Sequence, residues 1–157
     1  MRLLIEYLEH YAPTWDRLGY KHAGDSGFDL RAAVAEPVIL HPGEHALIPN
    51  GVKMELVGPF PLGPEFGYEI QVRPRSGLAA RYGISVVNTP GTVDFGYRGE
   101  LKTNIINLGN TDFVINPGDR IAQAVVCPIL LADLETVAMV NPNTDRGAGG
   151  FGSTGRQ

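Results

Sequence analysis

Apolar and polar positions alternate in short runs along most of the chain, the period of half-buried β-strands. Met1 to Tyr7 is the first such run. Phe28-Asp29-Leu30-Arg31-Ala32-Ala33 alternates next, with Asp29 and Arg31 on one side. Val38–Leu40, His41-Pro42-Gly43-Glu44 and Ala46–Ile48 predict strand, turn and strand. Gly51–Leu56 and Tyr68–Arg73 alternate again. Ile84–Val87 and Leu101–Ile106 predict a hairpin around Asn88–Glu100, with Pro90-Gly91 as its tight turn. Asp112–Ile115 and Arg120–Val126 flank the turn Asn116-Pro117-Gly118-Asp119, and Ile129–Val140 gives a last strand. One helix is expected. Pro74 ends a strand, Ser76 caps the helix that follows, and Gly83 closes it. About ten short strands and a single helix predict an all-β barrel or sandwich.

Composition narrows this picture. A length of 157 residues suits about one domain, and 20 glycines with 12 prolines make turns frequent and long helices unexpected. Residues 8–27 are polar and turn-rich, and the proline- and glycine-rich residues 58–67 predict an exposed loop between strands. A formal charge of −4 and no Lys/Arg-rich run argue against nucleic acid as a partner. A small anion remains possible if a few arginines converge. No apolar run is long enough to span a membrane, and the N-terminus becomes charged too soon for a signal peptide. The single cysteine, Cys127, lies in an apolar run and is expected in the core; no intrachain disulfide can form. A cytoplasmic location is expected.

Five stretches carry candidate chemistry. The hairpin places a carboxylate, Asp94, three residues before Tyr97 and Arg98. Acid, ring and backbone amides at a hairpin tip can grip a small planar ligand, or belong to an ordinary hairpin. Asp29 can hold a hydrated Mg²⁺ or pair with Arg31. Arg75-Ser76-Gly77 opens a helix, where free amides and a forked donor suit phosphate; no Gly-Lys-Ser/Thr follows, so it is not a P-loop. Gln123, in Gly118-Asp119-Arg120-Ile121-Ala122-Gln123, can donate to phosphate or face solvent. The glycine-rich tail from Pro142 is either a tether or a segment that closes over a ligand, with Phe151 stacking on a flat ring and Arg146 reaching phosphate.

Taken together, Gly27–Ala33, Pro74–Ala79, Asn88–Glu100, Gly118–Gln123 and Arg146–Gly155 resemble, in order, the motifs of the trimeric deoxyuridine triphosphatase (dUTPase) family. The resemblance implies a jelly-roll-like β-barrel over residues 1–141, a lid at 142–157, and a homotrimer with active sites shared between subunits. It implies hydrolysis of dUTP to dUMP and pyrophosphate, which keeps uracil out of DNA and supplies dUMP for thymidylate synthesis. By this resemblance Asp94 is the general base, and Mg²⁺ bridges the three phosphates with Asp29 holding its water shell without direct ligation. Arg75, Ser76, Gly77 and Gln123 match phosphate-contacting positions. Asn88 and the backbone of Gly91, Thr92 and Val93 match a uracil-reading hairpin, with Lys102 near its returning strand. Tyr97 would lie flat under the sugar and leave no room for a ribose 2′-OH. In the tail, Phe151 with Gly152 would cover uracil, and Arg146 and Ser153 would reach the phosphates. Residues 58–67 look like a family-variable insertion, and residues 8–27 match no motif.

Two alternatives stand beside this. A dCTP deaminase-type homologue, of similar fold, typically carries glutamate where this chain has Arg98. A zinc deaminase needs more than one cysteine. A non-catalytic nucleotide-binding β-barrel has no need of Asp94.

Overall fold

The computed structural model describes residues 1–58 and 65–150. Eleven strands and one helix follow in order: β1 (Arg2–Tyr7), β2 (Phe28–Arg31), β3 (Val38–Leu40), β4 (His45–Pro49), β5 (Val52–Val57), β6 (Phe66–Pro74), α1 (Ser76–Tyr82), β7 (Ile84–Val86), β8 (Gly91–Val93), β9 (Lys102–Asn107), β10 (Phe113–Ile115) and β11 (Arg120–Leu130). The all-β expectation with one short helix holds. Among the described residues the hydrogen bonding forms no closed ring. It makes a four-stranded sheet β2-β11-β6-β8, a three-stranded sheet β4-β9-β7, and two ribbons, β1-β5 and β10-β3. All these pairings are antiparallel.

The period-2 pattern explains why one core serves all four sheets. Leu30 and Val72 face it from the larger sheet, Ile48 and Ile105 from the smaller, Val52 and Leu56 from β5, and Ile115 from β10. Each buried side chain of this size contributes about 1.5–3 kcal/mol. Buried polar groups lock the layers in register. The Thr103 hydroxyl donates to Asn50 Oδ1 at 2.9 Å, and Asn50 Nδ2 donates to the Arg31 carbonyl at 2.8 Å. This ties the end of β2 to β9. Asn107 Nδ2 likewise donates to the carbonyls of Leu40 and Thr111, both at 2.8 Å.

Residues 8–27 depart from the polar expectation. Tyr11 is 3% exposed and belongs to the core. Its ring lies edge-on between Tyr7 at 4.7 Å and Trp15 at 5.2 Å, and the Arg17 guanidinium covers Tyr7 at 4.1 Å. Burial pushes the Tyr11 hydroxyl above the usual tyrosine range, so it stays protonated and donates to the Asp16 carbonyl. Four-residue spacing of aromatics suggests a helix face, yet here turns bring the rings together.

Other expectations are corrected. Ser76 does not cap α1. The N-cap is Arg75, in extended geometry with no side-chain cap bond, since a guanidinium carries only donors and cannot accept from the helix amides; it pairs with Asp29. Gly83 does close the helix at φ 70°, and a Cβ there would meet the Gly109 amide nitrogen at 2.7 Å. Pro90-Gly91 is not the hairpin apex: β7 and β9 pair as expected, but the link between them holds turns at Val87-Asn88 and Phe95-Gly96 and the strand β8, which Gly91 opens and which pairs with β6. The exposed-loop expectation for 58–67 fails at its end, where Phe66 and Gly67 pair with β11; residues 59–64 lie outside the described residues. The expected strand 129–140 is also wrong. β11 runs on to Leu130, the Leu131 amide still donates to the Glu65 carbonyl at 2.7 Å, and no regular element follows among the described residues. Leu134, Met139 and Val140 there are largely exposed. Cys127 is half-buried rather than in the core, 3.5 Å from an Arg73 nitrogen.

At the β3–β4 turn, His41 Nδ1 lies 2.7 Å from Asp112 Oδ1. The hydrogen bond to Asp112, then the charges of Asp112 and Glu44, raise the His41 pKa above its ordinary value. A raised histidine stabilises the fold while protonated, fully so below its unfolded pKa of about 6.5, and loses that contribution as pH climbs through the folded value. Wild type should therefore melt slightly above His41→Ala at about pH 5.5, with the gap closing by about pH 8. Thermal melts across that range check it, and a gap that widens with pH would contradict it. No helix among the described residues is long and apolar enough to cross a membrane.

Candidate active site

The first cleft forms where β2, β11 and the end of β6 meet. Register places Gln123 opposite Asp29 on one side and Arg73 on the other, so Asp29 and Gln123 share a sheet face. The turn into α1 brings Arg75, Ser76 and Gly77 alongside. Together with Arg81 and Arg120 these residues line a cleft of about 390 Å³. Arg75 grips Asp29 with two bonds, Nε to Oδ1 at 2.7 Å and Nη2 to Oδ2 at 3.3 Å. Arg120 Nη1 adds a third to Oδ2 at 3.2 Å, and Arg75 Nη1 donates to the Arg120 carbonyl at 3.1 Å. The expected Asp29–Arg31 pair does not form. Arg31 turns to the Gly118 carbonyl at 2.9 Å and to Asp16 at 3.3 Å. Gln123 donates to the Pro74 carbonyl at 2.9 Å and so props the turn into α1.

The charge of this cleft follows directly. Three guanidinium groups, Arg75, Arg81 and Arg120, face one carboxylate, Asp29. A cleft with that excess attracts anions. The first-turn amides of Ser76 and Gly77 lack intrahelical acceptors and add donors. A metal ion ligated directly by side chains does not fit here. Asp29 is committed to two arginines, and no group of three acidic, histidine or cysteine side chains among the described residues can hold one.

The second cleft, of about 290 Å³, is lined by Leu47, Thr92, Val93, Asp94, Tyr97, Glu100, Leu101 and Lys102. β8 pairs with β6, Ile70 opposite Val93, which fixes Thr92 and Val93 at its wall. Asn88 and Gly91 do not line it; Gly91 is buried beside the Asn88 side chain. Two carboxylates face this cleft and differ in their freedom. Glu100 Oε1 accepts the Gly51 amide at 3.1 Å and lies 2.6 Å from His10 Nε2. Asp94 is exposed, and its carboxylate has no hydrogen bond or ion pair among the described residues. Arg98, in the sequence a neighbour of the site, is a brace. Its Nη1 donates to the carbonyls of Phe95 at 2.8 Å and Tyr97 at 2.9 Å, and its Nη2 reaches Glu55 at 3.3 Å.

The two clefts share no lining residue. None of the described tail residues, 142–150, lines either. Arg146 Nε donates to the Gly149 carbonyl of its own turn at 2.9 Å, while Phe151, Gly152 and Ser153 lie outside the described residues. Sequence reasoning missed Arg120, Arg81, Glu100 and His10. Arg120 and Glu100 stood inside the quoted motifs, but their partners are distant in the chain.

A family model described as dUTPase matches residues 14–155. A deoxyuridine 5′-triphosphate nucleotidohydrolase of Bdellovibrio bacteriovorus is 54% identical over 137 residues, 87% of this chain and 86% of the relative. One from Maricaulis maris is 53% identical over 153 residues, 96% of this chain and 94% of the relative. Among solved structures, the dUTPase of Staphylococcus bacteriophage 80alpha with dUpNHpp aligns at TM-score 0.77 and 25% identity, covering 98% of both chains. A mutant dUTPase of S. aureus phage phi11, solved with a structural Mg(II) ion, aligns at TM-score 0.70 and 24% identity over 88% of this chain and 98% of its own. With a family model spanning nearly its whole length and relatives above half identity, this chain belongs to the dUTPase family.

Proposed function

We propose that this chain hydrolyses dUTP to dUMP and pyrophosphate with Asp94 as the general base. The observation that carries the assignment is the unpartnered Asp94 carboxylate, set beside Thr92, Val93, Tyr97 and Lys102 in one cleft. Asp94 orients a water and accepts its proton as the water oxygen bonds to the α-phosphorus. The bond from that phosphorus to the bridging oxygen breaks, and the electron pair leaves with pyrophosphate. Positioning and charge stabilisation do most of the work in such a displacement.

The remaining roles follow from chemistry. Tyr97 lies under the deoxyribose and excludes a 2′-OH. The hairpin, Asn88 and Gly91 to Val93, reads the uracil edge, with Lys102 beside it. Arg75, Ser76, Gly77 and Gln123 take the phosphates in the basic cleft. From the tail, Arg146 and Ser153 reach the phosphates, and Phe151 and Gly152 cover the base. Mg²⁺ fits as a companion of the triphosphate, with Asp29 reached through water. Bound there, it would offset charge on the phosphate oxygens. Because the two clefts share no residue and the described tail residues line neither, we assign complete sites to a homotrimer whose subunits each supply one part.

The test is chromatographic product analysis with dUTP and dCTP in parallel, with and without EDTA. We expect dUMP and pyrophosphate from dUTP, a slower rate in EDTA, and kcat/KM for dCTP lower by about 10⁴-fold. Comparable turnover of dCTP, or its conversion to a uracil nucleotide, would support the deaminase alternative instead.

A further inference from the structure

The Tyr97 ring is not held by the apolar core. It is 46% exposed, yet the surrounding loop leaves it little freedom. Its hydroxyl donates to the Glu100 carbonyl at 2.9 Å, and its amide donates to the Asp94 carbonyl at 3.0 Å. The side chain therefore folds back across residue 99, and residue 99 is a glycine. A Cβ built there would meet Tyr97 Cζ at 2.6 Å and Cε2 at 3.0 Å, as well as the hydroxyl oxygen. Such contacts are too close to stand, so the ring must move. The φ of Gly99 is not in the left-handed region, so the backbone does not require glycine here; the ring above it does. Glu100 is itself fixed through Gly51 and His10, so the carbonyl that anchors the hydroxyl is a firm one.

We infer that Gly99 is a positioning residue for sugar selectivity: its bare Cα is the seat on which the Tyr97 ring rests at the height that admits deoxyribose and rejects ribose. This rests on the reading that Tyr97 contacts the sugar. A side chain at residue 99 lifts the ring out of its seat. A displaced ring encroaches on deoxyribose and no longer occupies the space that a 2′-OH would need. Misplacement by about 1 Å can cost about 100-fold in rate.

The experiment places Gly99→Ala in two backgrounds, wild type and Tyr97→Ala, and measures kcat/KM for dUTP and UTP. In the wild-type background we expect a loss of about 100-fold for dUTP with a smaller loss for UTP, so that discrimination narrows by at least about tenfold. In the Tyr97→Ala background Gly99→Ala should change neither value, since the group it displaces is gone. Equal losses in both backgrounds, or no loss in the first, would overturn the inference. If Gly99→Ala alone fails to fold, Tyr97→Phe decides. It keeps the ring and the seat but removes the bond to Glu100, and discrimination should hold; discrimination that narrows would give the positioning role to that bond and overturn the one assigned to Gly99. An unaltered dUTP-to-UTP ratio in Tyr97→Ala alone would remove the sugar contact itself, a different failure from that of Gly99.

Discussion

Asp94→Asn should bind the non-hydrolysable analogue dUpNHpp as tightly as wild type and turn over dUTP about 10²–10⁴-fold more slowly. Asparagine keeps the shape of the side chain but cannot accept a proton from water. The fold has no stake in the change. Asp94 is exposed, and its carboxylate bonds to nothing among the described residues, so the melting temperature should stay put. The other carboxylate in the cleft is a poorer base on geometric grounds. Glu100 Oε1 already serves Gly51 and His10, and replacing it would loosen three segments at once. Calorimetric titration with dUpNHpp separates binding from chemistry, and stopped-assay product analysis gives the rate. Near-normal turnover in an intact assembly would remove Asp94 from the role of base.

The strands were legible because alternation by two is what a half-buried sheet requires, and Leu30, Val52, Val72 and Ile105 fall on the core side as that rule demands. The end of α1 was legible for a local reason, since Gly83 alone accepts the geometry there. The start was not. Ser76 looks like a cap, but it already lies inside the helix, and the residue before it, Arg75, is held by Asp29, 46 positions away. The same blindness to long-range pairing hid the true partners of Asp29. Arg31, two residues along the strand, was the obvious candidate, while Arg75 and Arg120 arrive from β6 and β11. The aromatic stack of Tyr7, Tyr11 and Trp15 escaped notice because its flanks are polar.

For the candidate site, residue types could be read from the motifs, but their division could not. Asp94, Tyr97 and Lys102 gather in one cleft, and Asp29, Arg75, Ser76, Gly77 and Gln123 in another. Order along a chain carries no information about that separation. It also gave no hint that Arg98 binds its own loop's carbonyls rather than a ligand.

A chain cut after Asn141 should melt within about 2 °C of wild type and lose nearly all turnover. Residues 142–148 are exposed, and the hydrogen bonds of the described tail stay within it apart from the Asn143 amide on Asn141, so cutting there removes none of the described core contacts. Turnover suffers because the tail is proposed to close the site, exclude water and deliver Arg146. Full activity in the truncated chain would reduce the tail to a tether. The truncated chain then allows a sharper test of shared sites. The stretch before the cut leaves the sheet with Leu134, Met139 and Val140 exposed, apolar side chains with no cover on their own subunit. That favours a tail that crosses to a neighbour. Refolding the truncated chain together with Asp94→Asn in equal amounts makes mixed trimers from two inactive parents. A working site needs its hairpin from a truncated chain and its tail from an Asp94→Asn chain. Under random mixing about a quarter of the sites meet that condition if hairpin and tail come from different subunits. If both come from one subunit, no site does at any mixing ratio. Recovery of about a quarter of wild-type activity is therefore expected after co-refolding, and none after mixing preformed trimers that do not exchange. Native mass spectrometry of the mixture establishes that mixed trimers formed. Mixed trimers without activity would place hairpin and tail on the same chain.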